Sequence, residues 1–355
     1  MGLFGGLFKE KGPFKVTIQP SGLSLEVPTG DNLLKAALEQ GLAWPHSCRV
    51  GSCTTCKCRL VSGKIKPLND FSYVLSAEDL KAGVILACQT LLKSDIEVEV
   101  KLDDKSAPKE VKTVLGVISA STALTHDILE VRIRLDEALP PYWAGQYAEI
   151  TAPGIAKPRS YSFARAPENE QSSEVSFHCR LVPGGEMTGW LHAQSRVGER
   201  VTVAGPYGSF WLRDAKKPMV CVAGGSGMAP IKALLEHASN EKCDRPVVYL
   251  FGARAQRDVY CKDEMQRLSS GWNGSLKFVP VLSNEPEDSD WSGPRGFVHK
   301  HIAQQGLDLS NCQAYLCGPP PMIDAAIAEF KAGGMPDDQI YFDKFLDASH
   351  TGGRA

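Results

Sequence analysis

The sequence predicts a multidomain chain combining α+β and α/β folds: a small mixed module, an antiparallel β-barrel and a doubly wound parallel sheet. Three observations predict this. Before Asp103, short apolar runs of period two flank a cysteine-rich loop. Over residues 111–205, β-branched segments alternate with turn signals. From Lys217 onward, apolar strands alternate with helical stretches, the pattern of a parallel sheet. The expected boundaries are 1–103, a linker over 104–112, 113–213 and 214–355.

Composition narrows the function classes. The 355 residues suit two or three domains, and 43% hydrophobic with 23% charged residues is an ordinary globular balance. A net charge of −2 argues against a nucleic-acid partner held by bulk charge. The 11 cysteines are an odd count, and a cluster motif takes some of them, which points to a reducing, cytoplasmic compartment rather than a disulfide framework. No apolar run approaches the roughly 20 residues of a membrane span. Residues 1–8 are too short for a signal peptide, and no Ser or Thr follows Gly2 where myristoylation wants one.

The loop from His46 to Cys58 organises the first module. Cys48, Cys53 and Cys56 are spaced C-x4-C-x2-C, and Cys88 follows in Leu86-Ala87-Cys88-Gln89. This is the plant-type [2Fe–2S] ligand pattern. Gly51, Ser52, Thr54 and Thr55 are small enough for backbone N–H groups to approach sulfur. Zinc competes with this reading, but zinc usually shows two close pairs or His partners, and Cys88 has no second ligand beside it. Cys58 completes no pattern and reads as a thiol on the strand leaving the loop.

Around that loop, residues 14–27 read as a hairpin and 31–40 as a short helix ended by Gly41. Strands are expected over 58–65, 84–87 and 96–102, a β-grasp-like order. The charged, Pro-containing stretch 103–112 has no apolar period and reads as a linker. The middle module offers roughly seven strand-like segments, from which a six-stranded antiparallel barrel is expected, and a helix beginning near Glu186. The last module predicts strands over 219–223, 247–251, 276–282 and 314–317, with helices over 229–239, 262–268 and 320–331.

Several motifs carry chemistry. Arg159-Ser160-Tyr161-Ser162 begins a barrel strand; an Arg can clamp phosphate, and a Tyr two residues on shares its face and can stack on a planar ring. An exposed Arg and a core Tyr is the equally simple alternative. Gly184-Gly185 precedes the Glu186 helix, with Met187 and Thr188 in its first turn, an anion site suited to a pyrophosphate. The turns at Gly145 and at Gly205–Gly208 serve either the barrel rim or a ligand. Gly224-Gly225-Ser226-Gly227 lies between a strand and a helix, where a dinucleotide loop belongs, yet Pro230 replaces the third fingerprint glycine. Cys317-Gly318-Pro319-Pro320 ends a strand at the edge where parallel sheets place ligands; the alternative is a buried structural cysteine.

Jointly these residues resemble the ferredoxin–NADP reductase superfamily with a plant-type ferredoxin fused in front. That is the order in NADH-dependent reductase components of bacterial multicomponent oxygenases. The resemblance spans residues 14–346. It implies FAD in the barrel, bound by Arg159, Ser160, Tyr161 and Ser162, with Gly184, Gly185, Met187 and Thr188 at its pyrophosphate. It implies NADH on Gly224, Gly225, Ser226 and Gly227, with Arg254, Gly318 and Pro319 nearby. Cys317 would lie at the nicotinamide and flavin N5, and Phe345, in an aromatic segment beginning at Tyr341, would cover the flavin. Cys317, Tyr161 and Phe345 are thus the implied catalytic set. Asn284 and Glu285 after Ser283 would not attract a 2′-phosphate, which favours NADH, although Arg254 could.

The implied activity is transfer of electrons from NADH through FAD and the [2Fe–2S] cluster to a terminal oxygenase or its ferredoxin. The chain is expected to work as a monomer, without nucleic acid. A reductase for a cytochrome P450 or desaturase, and a redox-sensing module, are the alternatives.

Overall fold

The computed structural model describes residues 12–46, 49, 51, 54–102, 111–167 and 172–345. The chain divides into two compact units, Met1–Lys109 and Glu110–Ala355.

In the first unit, β1 (Phe14–Gln19) and β2 (Leu23–Val27) form the expected hairpin, with Val16 opposite Leu25. Their alternation turns Val16, Ile18, Leu25 and Val27 into the core. Helix α1 (Leu33–Glu39) is shorter than expected because Asn32 serves as its cap, its side chain accepting from Lys35 N at 2.8 Å. Next come β3 (Lys57–Ser62), β4 (Ile65–Pro67), α2 (Ala77–Lys81), β5 (Val84–Leu86), β6 (Thr90–Leu92) and β7 (Ile96–Glu99). The main sheet has the order β2-β1-β7-β3-β5, with β1 and β7 parallel.

The single strand expected over 58–65 is instead two. Gly63, at φ +99°, turns the chain, and a Cβ there would lie 2.3 Å from the Asp95 carbonyl oxygen. β4 then leaves the main sheet to pair with β6. The last strand also stops at Glu99 rather than residue 102.

The second unit opens with β8 (Lys112–Ala123), so the strand already includes the last residue of the expected linker. β9 (Ile128–Leu139), β10 (Tyr147–Thr151), β11 (Arg159–Ser162), β12 (Ser172–Arg180), α3 (Glu186–Ala193) and β13 (Arg200–Tyr207) follow. Six strands form one antiparallel sheet in the order β11-β10-β13-β8-β9-β12. Its two edges curl towards each other, with Phe163 bridging to Phe177. Gln146 Nε2 donates to the Gly208 carbonyl oxygen at 2.9 Å, so the two rim turns brace one another.

The chain continues with β14 (Met219–Gly224), α4 (Met228–Asn240), β15 (Val247–Ala253), α5 (Lys262–Gly271), β16 (Leu276–Leu282), β17 (Gln313–Gly318), α6 (Pro320–Ala332) and β18 (Ile340–Lys344). These five strands are all parallel, in the order β16-β15-β14-β17-β18. β18 lies outside the expected strands: the aromatic segment at Tyr341 is a sheet edge. Cys221, Tyr249 and Tyr315 pack with α4 and α5, whereas Val220, Val222, Val248 and Leu316 pack with α6, so the sheet is covered on both faces.

Barrel and parallel sheet share contacts within this unit. Lys232 on α4 is buried; its Nζ donates to the Ala164 carbonyl oxygen at 2.9 Å and to Glu236 Oε1 at 2.6 Å. Glu236 Oε2 accepts from Ala166 N at 3.0 Å. Lys232 is buried and Glu236 half-buried, and these bonds together hold the barrel segment 164–166 against α4.

Candidate functional site

In the first unit, Cys48 and Cys53 lie outside the described residues. Cys56 and Cys88 are both buried, and neither is in a disulfide. Sheet register brings their segments together: Lys57 pairs with Leu86 across β3 and β5, and Ala87 N donates to the Cys56 carbonyl oxygen at 3.2 Å. Cys88 then sits in a 3₁₀ turn over Ala87–Gln89. Gly51 (φ +86°) and Thr54 (φ +62°) hold left-handed conformations that a tight loop requires. The buried Thr55 hydroxyl has no hydrogen-bond partner among the described residues. Two buried cysteines on paired segments and an unsatisfied buried hydroxyl fit a group whose sulfurs accept hydrogen bonds. Cys58 is different: burial pushes its thiol far above the ordinary range, so it stays protonated on β3.

In the barrel, the pleat places Arg159 and Tyr161 on one face of β11, with Ser160 and Ser162 on the other. Ser160 is exposed and Ser162 buried. Tyr161 packs towards Phe177, with ring centroids 6.4 Å apart. The Arg159 guanidinium reaches Glu186 at 3.6 Å, and therefore the start of α3. That helix has Gly185 as its cap, with no side chain capping it. Gly184 holds φ +72° with open space where a Cβ would be, while a Cβ on Gly185 would lie 2.6 Å from Thr188 Oγ1.

The first turn of α3 thus presents backbone N–H groups beside a guanidinium, an arrangement that could hold a pyrophosphate. Thr188 Oγ1 accepts from Val182 N at 3.1 Å, so this hydroxyl shapes the turn. Met187 is buried in the barrel core, which leaves its backbone N–H as what it offers.

The glycine loop ends β14. Gly225 holds φ +57°, and Gly225–Gly227 form a 3₁₀ turn into α4. A Cβ on Gly227 would stand 2.2 Å from the Cys317 carbonyl oxygen, and one on Gly224 would stand 2.7 Å from Met322 Sδ. Side chains are therefore excluded where the ends of β14 and β17 meet. Ser226 is half-buried in this turn. Gly318, at φ +143°, ends β17; Pro319 caps α6; and the Phe345 N–H donates to the Gly318 carbonyl oxygen at 2.8 Å. Cys317 is fully buried, and burial, with Asp343 adding to it, raises its thiol well above the ordinary range. It is a thiol at neutral pH and no nucleophile.

Arg254 is exposed after β15, and its carbonyl oxygen accepts from Asn284 N at 2.8 Å. Glu285 accepts from Gln256 N and Nε2, both at 2.9 Å; these bonds hold its carboxyl below the usual range. A carboxylate therefore stands in the loop paired with Arg254.

Three residues absent from the sequence-derived set join barrel and sheet. Arg180 on β12 pairs with Asp127 at 2.9 Å, and its guanidinium lies 3.1 Å from the Cβ position of Gly225. The Tyr260 hydroxyl and buried His178 also meet at this junction, 3.2 Å apart. Arg180 lies four residues before the Gly184-Gly185 motif, whereas His178 and Tyr260 gave no local signal.

Comparison with known proteins agrees with this division of labour. The family model for a 2Fe-2S iron-sulfur cluster binding domain matches residues 16–93. The oxidoreductase FAD-binding domain matches 116–211, and the oxidoreductase NAD-binding domain 221–327. The xylene/toluene monooxygenase electron transfer component XylA of Pseudomonas putida is 40% identical over 96% of both chains. The phenol 2-monooxygenase reductase component DmpP of Pseudomonas sp. (strain CF600) is 34% identical, covering 96% of this chain and 97% of its own. Among solved structures, the Amycolatopsis cytochrome P450 reductase GcoB superposes with a TM-score of 0.78 at 31% identity, over 94% of this chain and 99% of that one. The protein is an oxidoreductase that binds a [2Fe–2S] cluster, FAD and NADH. The chain belongs to the family of oxygenase reductase components, built from a plant-type ferredoxin, a flavin barrel and a dinucleotide-binding parallel sheet.

Proposed function

We propose that this chain supplies electrons from NADH to the terminal oxygenase, or its ferredoxin, of a multicomponent oxygenase system. The observation that carries the reading is the junction at Gly225, where the dinucleotide loop lies against Arg180 of the barrel inside one compact unit. A hydride donor on the loop and an acceptor in the barrel are then neighbours. When bound, FAD would accept one hydride, that is two electrons with a proton, and give the two electrons up singly to a cluster that carries one at a time.

The chain's own residues place and shield these groups. Arg159 and the first turn of α3, through Gly184, Gly185 and the Met187 N–H, hold the flavin pyrophosphate, and Thr188 fixes the turn. Tyr161 would lie along the isoalloxazine on the Arg159 face of β11, with Ser160 and Ser162 on the opposite face of the strand. Gly224, Gly225, Ser226 and Gly227 cradle the nicotinamide dinucleotide. Cys317, with Gly318 and Pro319, closes the nicotinamide end, and Phe345 borders it. Glu285 repels a 2′-phosphate, which favours NADH, and Arg254 flanks the ribose. Cys48, Cys53, Cys56 and Cys88 ligate the cluster. The working boundaries are 1–103, 113–213 and 214–355. The protein acts as a cytoplasmic monomer; no helix among the described residues is long and apolar enough to cross a membrane.

The test is anaerobic. Purified protein should show flavin and [2Fe–2S] absorption together, and NADH should bleach both. Cys53→Ser or Cys88→Ser should abolish cytochrome c reduction while NADH still bleaches the flavin. Equal loss of both activities, or zinc in place of iron, would sink the reading. Likeness to GcoB favours a second reading, a cytochrome P450 as acceptor. Co-purification of the physiological acceptor separates the two.

A further inference from the structure

Gln89 follows the Cys88 ligand directly, is itself buried, and has every polar atom of its side chain engaged. Its Oε1 accepts from Asn69 Nδ2 at 2.8 Å. The orientation of the amide is fixed by the Cys88 carbonyl oxygen, which can only accept and lies 3.0 Å from Nε2, so that Oε1 faces Asn69. The NH₂ group is therefore turned the other way. It donates to the Cys88 carbonyl oxygen at 3.0 Å and towards Cys88 Sγ at 3.8 Å. A planar amide has two hydrogens, and here they address two acceptors on one residue.

Two further contacts lock the side chain. Gly51, in the loop between Cys48 and Cys53, runs so close over it that a Cβ on Gly51 would stand 2.5 Å from Gln89 Cγ. Gln89's own carbonyl oxygen accepts from Leu68 N at 2.9 Å, which fixes the strand end carrying Asn69. Gln89 is thus wedged between the ligand loop and the fourth ligand, with its donor edge towards sulfur.

We propose that Gln89 sets the reduction potential of the [2Fe–2S] cluster through its amide donor to Cys88 Sγ, and that Asn69 is the positioning residue that holds the donor in place. The inference rests on the reading of Cys88 as a cluster ligand. Reduction adds one electron to the cluster, supplied by the reduced flavin, and the added negative charge spreads onto the ligand sulfurs. A donor dipole aimed at one of them favours the reduced form. Removing it disfavours that form without removing a ligand.

The experiment is an EPR-monitored redox titration of the full-length holoprotein, with the flavin couple in the same sample as internal reference. Gln89→Leu keeps the bulk and deletes the donor. The expected result is an intact cluster whose reduced form is disfavoured about tenfold, a negative shift of 59 mV for one electron, with the flavin couple unmoved. Asn69→Ala leaves Gln89 present but unclamped, and should shift the midpoint in the same direction by less. A Gln89→Leu protein with full cluster content and an unchanged midpoint overturns the proposal, leaving Gln89 as a packing clamp. Should Gln89→Leu fail to retain its cluster, Asn69→Ala decides on the same readout, and an unchanged midpoint there overturns it equally. A wild-type protein that holds no cluster would instead overturn the ligand reading on which this rests.

Discussion

The Tyr260 hydroxyl donates to the Gly225 carbonyl oxygen at 3.0 Å. With the phenol proton committed there, His178 Nδ1, 3.2 Å from the Tyr260 phenol oxygen, donates to that phenol oxygen. Two buried side chains thus tie the left-handed glycine of the dinucleotide loop to barrel strand β12. Tyr260→Phe removes both bonds and keeps the ring. A net loss of about 1 kcal/mol, about fivefold, is expected in the apparent affinity for NADH, with flavin content unchanged. Ferricyanide reduction at varied NADH reads it; an unaltered KM would show that the sheet alone holds Gly225.

His178 also makes stability depend on pH. Burial, aided by nearby Lys232 and Arg165 and opposed by Glu130, lowers its imidazole to about 3. The unfolded chain takes up that proton near pH 6.5, and the folded chain does not until far lower. Stability is therefore complete above pH 6.5 and declines as pH falls through the window down to the folded value, by up to about 1.4 kcal/mol per pH unit. His178→Asn should flatten this limb. Urea midpoints of the holoprotein at pH 7.5, 6 and 5 check it, and equal slopes in both proteins would refute it.

Gly227→Ala should be damaging although the residue's own backbone is ordinary, with φ −62°. The new Cβ would meet a main-chain carbonyl oxygen at 2.2 Å, and neither partner is a flexible side-chain end. Loop or strand must move, and flavin reduction by NADH should slow by at least about tenfold, or 1.4 kcal/mol. Stopped-flow bleaching of the flavin measures this. A rate within twofold of wild type would mean the junction yields.

Cys317→Ala tests placement at the nicotinamide end. Because the thiol stays protonated, the variant loses shape rather than a nucleophile. Hydride transfer should slow about tenfold with FAD still bound. An unchanged bleaching rate would reduce Cys317 to packing.

Much of this was legible in the sequence because local signals agreed with the fold. Alternation marked Phe14–Gln19 and Leu23–Val27, and continuous apolar runs marked Met219–Gly224 and Gln313–Gly318. The cysteine spacing and the glycine loop are short-range patterns, so they survive without tertiary knowledge. Ile340–Lys344 was missed as a strand because Asp343 and Lys344 interrupt its apolar run; pairing with β17 makes it one. Gly63 concealed a strand break, since its effect depends on the Asp95 carbonyl oxygen across the sheet. His178 and Tyr260 are 82 residues apart, and only the packing of barrel on sheet joins them. The orientation of the Gln89 amide depends likewise on Asn69, 20 residues earlier.

The pairing of Lys57 with Leu86 has a consequence for how this module can diversify. Spacing between the Cys56 and Cys88 sulfurs is set crosswise, by a ladder rung, and not by the length of chain running from one to the other. Helix α2, Ala77–Lys81, buries none of its residues within that run. Lengthening or recoding it would reshape the exterior of the module while the pairing that sets Cys56 beside the Cys88 segment stayed as it is.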